Sequence, residues 1–181
     1  GLAEYAKGDY KAAAKSFKAA ELYADDSVMK AKSLIEAAKS YRKAELRFEE
    51  FKCVEKLINV FPNFVNFTTA VDREFEIGNE FYAGLRDPLP ILSWLPWEDR
   101  DRTIEIYSKA LKHAPFSKHA PDAKLRLARM YIDTNKKDDA LKTLREAVSM
   151  YPNTAVEKYA MLDLANALMQ LAGPADGDGK Y

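Results

Sequence analysis

The sequence predicts an all-α fold, an α-solenoid of helix-turn-helix repeats with a C-terminal capping helix. Three observations carry this reading. One pattern of small and bulky residues recurs along the chain in a fixed register. Prolines stand where one helical pair should end and the next begin. The composition is 48% hydrophobic and 31% charged with only 7 Gly, which suits amphipathic helices around a continuous core and excludes a disordered chain.

The register is clearest from Leu127-Ala128, which leads through Tyr131, Ala140, Leu144 and Ala147 to Pro152. Its second half returns as Ala13, Phe17, Ala20 and Asp25, as Glu50, Val54, Leu57 and Pro62, and as Thr103, Tyr107, Ala110 and Pro115. Its first half returns as Ala37-Ala38 with Tyr41 and as Ile77-Gly78 with Phe81, while Leu164-Ala165 follows the last proline. Two helices approach closely only where small residues face each other, and this explains Ala38, Gly78 and Ala128 and the column headed by Ala13 and Ala140. Bulky residues one turn away fill the space between neighbouring pairs. Two departures stand out. Glu50 occupies a place that should hold Ala, and the expected turn at Arg42–Leu46 contains no Gly, Pro, Asn or Asp. The helices of the second repeat are therefore free to run on as one rod.

In chain order, Gly1 falls in the small-residue position of a preceding helix, of which only the end is present. Gly8 and Asp9 make a turn before a helix over Asp9–Tyr23. Ser27 is the expected N-cap of a helix reaching about Arg42. Its partner runs to about Val60 and stops at Pro62-Asn63. Thr68 to Leu85 forms the next helix, with Asp99–Lys112 as its partner. A helix starting at Lys118 or Pro121 ends near Asp133, and Lys136–Met150 completes that hairpin. Thr154 and Glu157 form a capping box for a cap helix over about 154–171. The repeat domain thus spans 1–172 with about four repeats, followed by a flexible, Gly/Asp-rich tail at 173–181.

Between Gly78 and Thr103 the register is too long by about 13 residues, an insertion near 85–98. It contains both tryptophans, Trp94 and Trp97, three prolines and several Leu/Ile. That much apolar area needs cover. Two readings stay open: packing against the chain's own helices, or anchoring a partner through Trp94 and Trp97.

Composition narrows the function classes. Lys+Arg equals Asp+Glu at 28 each, so no basic field points to nucleic acid. No apolar run approaches the length of a membrane span. The chain begins with Gly1 and helix-forming sequence rather than a signal, so we expect a removed leader or lipid anchor to be its only link to a membrane. Catalytic, metal-binding and cofactor-binding residues are expected to be absent. His113 and His119 flank Pro115 without a Cys/His set to complete a zinc site, so helix-end or surface roles are expected. No phosphate loop or nucleophile–base order stands out. Glu45/Glu49 and Glu55/Lys56 read as solvated faces, and Cys53 as a small buried hydrophobe.

These registers resemble the tetratricopeptide repeat family. Pro115 to Leu127 and Pro152 to Leu164 each span 12 residues, about three more than ordinary 34-residue repeats leave. These longer connections, the Tyr151-Pro-Asn-Thr motif, and the aromatic insertion ahead of Asp-Arg-Asp-Arg at Asp99–Arg102 are similar to the BamD family, outer-membrane lipoproteins of the β-barrel assembly machinery. The resemblance implies a non-enzymatic protein-interaction scaffold on the periplasmic side of the bacterial outer membrane. Its N-terminal groove would hold a terminal peptide of client barrels, and its C-terminal repeats would dock onto other components of that machinery. A periplasmic cell-envelope coordinator with similar repeats and a structural homo-oligomer are the alternatives. By the same resemblance, the concave surface takes Lys32, Lys39, Arg42 and Lys43 from repeat two, Phe75, Asn79 and Tyr82 from repeat three, and Leu125 and Arg129 from repeat four. An acidic or carboxylate-bearing peptide suits the basic stripe, unless that stripe is only a solvated face.

Overall fold

The computed structural model describes residues 1–87 and 100–172. All regular structure among them is helical: α1 (Leu2–Ala6), α2 (Tyr10–Tyr23), α3 (Ser27–Lys43), α4 (Arg47–Val60), α5 (Phe67–Tyr82), α6 (Arg100–His113), α7 (Ala120–Asp133), α8 (Lys137–Met150) and α9 (Ala155–Ala172), with a 3₁₀ turn at Pro62–Phe64. The chain divides into two compact units, one comprising Gly1–His113 and one beginning at Ala114. Within each, helices adjacent in sequence pack on each other, α1 through α6 in the first and α7 through α9 in the second. This is the local arrangement of an α-solenoid. No helix among the described residues is long and apolar enough to cross a membrane. The insertion's Trp94 and Trp97 and the tail 173–181 lie outside the described residues.

The small-residue positions are close contacts, as the register requires. A Cβ placed on Gly78 would lie 2.7 Å from the Tyr107 ring and 3.2 Å from Ile106. One placed on Gly1 would lie 2.6 Å from the Phe17 ring. Phe17 and Tyr107 hold the same register position, so one device recurs in two hairpins. Ala128 and its counterpart Leu144 are both fully buried. The second small column, Ala13, Glu50, Thr103 and Ala140, is buried throughout.

Around these contacts the first unit builds a layered core. Ala14, Leu34, Tyr41, Cys53 and Leu57 join α2, α3 and α4 in one cluster. Phe51, Ile77, Phe81 and Ile106 join α4, α5 and α6 in another. Because α4 contributes to both, burial propagates from hairpin to hairpin. Cys53 is buried as expected, and burial pushes its thiol up to about 12, far from a reactive thiolate.

The second repeat is not a continuous rod. Glu45 adopts φ 59°, in the left-handed region, and the Leu46 N–H returns to the Tyr41 carbonyl at 3.0 Å. Asn135, with φ 57°, closes the α7–α8 turn with the same bond, from the Lys136 N–H to the Tyr131 carbonyl at 2.8 Å. A glutamate therefore performs the C-cap role usually given to Gly or Asn, at a backbone cost of about 1–2 kcal/mol. That substitution hid the turn in the sequence.

Local side-chain caps start α2, α3 and α5. Asp9, Asp26 and Asn66 accept from Ala12, Met29 and Thr69 N–H groups at 2.9–3.0 Å. The cap of α3 is thus Asp26 rather than Ser27. At α4, Leu46 offers no capping side chain. The buried Asp87 accepts from the Arg47 and Phe48 N–H groups instead, at 2.7 and 3.0 Å. In the second unit, the Thr154 hydroxyl accepts from the Glu157 N–H at 3.2 Å, and Glu157 accepts from the Asn153 N–H at 2.7 Å, so the capping box is present one residue displaced on its return bond.

Gly78→Ala should destabilise the protein by about 1–3 kcal/mol in urea unfolding, because Tyr107 is fully buried and pinned by its hydroxyl bond to Asn79, 2.7 Å. An ordinary helix-interior Gly→Ala change gains about 0.5–1 kcal/mol. A raised midpoint would remove the close-approach interpretation of the register.

Candidate functional site

A groove of about 320 Å³ opens in the first unit between α3, α4 and the start of α5. Its walls are apolar: Ile35 and Ala38 from α3, Val54 and Leu57 from α4, Phe64 and Val65 from the turn, and Ala70 from α5. Lys39, Arg42, Glu50, Asn66, Thr69 and Arg73 supply its polar groups. The 3.6-residue period of α3 makes this possible. Ile35, Lys39 and Arg42 recur on one stripe of the helix, while Leu34, Ala37 and Tyr41 turn into the core.

The polar side is organised by a buried anion. Glu50, only 3% exposed, receives a two-pronged hydrogen bond from Arg73, Nε to Oε1 at 2.7 Å and Nη2 to Oε2 at 2.9 Å. The Arg73 Nη1 continues to Glu76 at 3.0 Å and Glu80 at 2.8 Å. Arg47 also reaches Glu80, at 2.7 Å. Burial alone would raise the Glu80 carboxyl, but the hydrogen bonds from Arg73 and Arg47 outweigh it and hold the group below its ordinary range. Arg42 stands farther away, 3.7 Å from Glu50 and 3.9 Å from Glu76, with its side chain largely exposed. It is the most exposed of the three arginines Arg42, Arg47 and Arg73.

The expected site residues therefore separate. Lys32, Lys39, Arg42 and Lys43 are all exposed on α3, and Lys39 and Arg42 line the groove. Their charge is less free than the sequence implies, because Lys39 bonds Glu36 at 2.7 Å and Arg42 has two acidic neighbours. Phe75 is fully buried and Leu125 is 6% exposed, so neither presents a side chain to a partner, and both leave the partner-facing set. Each turns inward at a register position expected to face the groove. Asn79 accepts from the buried Tyr107 hydroxyl, and Tyr82 is partly exposed beside the same ring. In the second unit Arg129 is tied to Asp163 of α9 at 2.7 Å. Trp94 and Trp97 lie outside the described residues.

Arg73, Asn66, Thr69 and Val65 were not expected in the groove. Glu50 was the available signal, since an acid in a small-residue column demands a buried cation. Nothing in the spacing identifies which arginine answers. Among the described residues, the set of His, Cys and acidic side chains close enough to share a cation is Glu55, Glu74 and His113. The solvated face expected for Glu55 and the surface alternative for His113 are corrected accordingly, since both side chains are mostly buried, while His113 does stand at the end of α6.

Arg73→Ala should cost up to about 3–5 kcal/mol by leaving the buried Glu50 with only its longer contacts to Arg42 and Arg47, 3.7 and 3.9 Å, and the double change Glu50→Ala with Arg73→Ala should cost much less than the two single costs added. Urea unfolding of the three variants measures this. Additive losses would mean that the two groups do not act as a pair.

The tetratricopeptide repeat family matches this chain over residues 98–162, which take in α6, α7, α8 and the first part of α9. No curated protein matches the chain. Repeats of this type generally mediate contacts between proteins and are typically non-enzymatic, which is consistent with a scaffold. The match, the all-helical fold and the recurring close contacts together support a tetratricopeptide repeat protein.

Proposed function

We propose that the chain is a non-enzymatic scaffold whose first unit holds an apolar peptide segment ending in, or flanked by, a carboxylate. The observation that carries this is the groove itself, apolar along its walls and edged by Lys39 and Arg42. An aliphatic or aromatic side chain entering beside Ile35, Val54 and Val65 would lose water contact, while its carboxylate meets the two cations at the rim. A chain with no net charge gains this preference locally, from one stripe of one helix.

The finer proposal follows the resemblance to the BamD family. The chain would then work on the periplasmic side of the bacterial outer membrane as an adaptor in β-barrel assembly. A terminal peptide of a client barrel would occupy the groove, and the second unit would contact other components of the machinery. What supports this is the inter-repeat spacing and the loop pattern, together with a groove suited to an apolar terminus bearing a free carboxylate. The exposed Tyr159, Leu162 and Met169 on α9 favour a second reading, self-association through that helix. Light scattering separates the two, since an adaptor is monomeric without its partner.

A peptide with an aromatic C-terminal residue and a free carboxylate should bind the wild-type chain, measured by fluorescence anisotropy. Lys39→Glu, added salt and amidation of the peptide terminus should each weaken it, the first by about tenfold or more. Binding indifferent to all three would contradict carboxylate recognition at this rim.

A further inference from the structure

A second feature of the first unit has no place in the groove. Glu74 sits in the register position that holds Leu34 in the second repeat, a place built for an apolar side chain. It is 0% exposed, and its Oε1 has no hydrogen-bond partner. Its Oε2 lies 2.8 Å from Nδ1 of His113, at the end of α6. On the other side of the imidazole, Nε2 lies 3.6 Å from Oε2 of Glu55, on α4, and that oxygen is also buried without a hydrogen-bond partner. One ligating atom from each residue can be chosen so that all lie within 4.8 Å of one another.

Packing cannot account for two carboxylates here. Burying an acid without compensation costs several kcal/mol, and a core would normally fill the place with a hydrophobe. Lys109 gives limited relief: it stands 3.7 Å from Glu55 Oε1 and is bound more closely to Glu105, at 2.9 Å. Lys112 lies on the same helix turn as His113, and its charge works against protonation of the ring. Either a proton or a cation must resolve the clash.

We propose that Glu55, Glu74 and His113 form a binding site for one divalent transition-metal ion of the zinc class, held between α4, α5 and α6. Two carboxylates and a neutral imidazole balance a dication. A mixed nitrogen and oxygen donor set selects zinc-like ions over magnesium or calcium, which favour oxygen alone. The 3.6 Å between Nε2 and the Glu55 oxygen is close to the edge of a tetrahedron with ligand distances of about 2.0–2.2 Å. Glu74 meets the ring at Nδ1 instead, so its carboxylate would have to turn from that nitrogen toward the ion. Burial and the facing Glu55 push the Glu74 carboxyl above its ordinary range. Burial likewise holds His113 below the usual imidazole range. The ion would fasten three successive helices, acting on stability rather than on chemistry.

Titration of chelator-treated protein with zinc chloride, followed by calorimetry and thermal unfolding, tests this. The wild type should take up one equivalent and melt at a higher temperature. Glu74→Gln and His113→Gln should each lose about tenfold or more in affinity together with the zinc-induced rise, while His119→Gln keeps both. If those two variants fail to fold, Glu55→Gln serves, and cobalt substitution of the wild type should give the visible spectrum of a low-coordinate site with a histidine ligand. Absence of saturable zinc uptake by the wild type would overturn the site. So would undiminished uptake in the folded ligand variants, and a wild type without uptake would leave a carboxyl pair sharing a proton.

Discussion

Everything in this molecule depends on how closely paired helices approach at a few small residues. At Gly78 the Tyr107 ring occupies the space of a methyl group, and at Gly1 the Phe17 ring does the same. Such contact leaves no room for a larger side chain at either position. α4 then contributes Cys53 and Leu57 to one interface and Phe51 to the next. The stripe of α3 carrying Ile35, Lys39 and Arg42 is left over, and it lines the groove because the opposite stripe is committed to the core.

Charge enters this interior under strict terms. Glu50 interrupts a column of small residues and is admitted because Arg73 grips both of its oxygens. The gain is an ordered arginine–glutamate network along one side of the groove, which fixes Arg73 and leaves Arg42 at longer range. Glu74 interrupts another apolar position without a comparable partner, since its Oε1 has none. The contrast between the two glutamates separates a satisfied structural acid from one that calls for a further ligand. Asp87 shows a third arrangement, with a buried carboxylate satisfied by the N-terminus of a helix from the preceding hairpin.

Much of the fold was legible because it rests on local periodicity. The helix from Asp9 to Tyr23, the stop at Pro62 and the break after Asp133 all follow from short-range signals, and each lies within a residue or so of where the structure puts it. The turn at Glu45 was illegible because a residue with a Cβ took a left-handed conformation that usually belongs to Gly or Asn. The site was less legible than the fold. The resemblance placed Lys39 and Arg42 on the stripe of α3 that lines the groove, yet it set Phe75 and Leu125 on a surface they do not reach. The pairings of Glu50 with Arg73 and of Glu74 with His113 join residues 23 and 39 positions apart on neighbouring helices, and no spacing rule encodes such partners.

The claim that this groove is the contact surface is tested most directly by site-specific photo-crosslinking. A photoreactive side chain would replace Lys39 or Thr69 at the groove, or Lys142 on the exposed face of α8 as a reference. Partner peptide should crosslink from the first two positions and be displaced by excess unlabelled peptide, with background yield from Lys142. Equal yield from all three, or displaceable yield from Lys142 alone, would contradict the account.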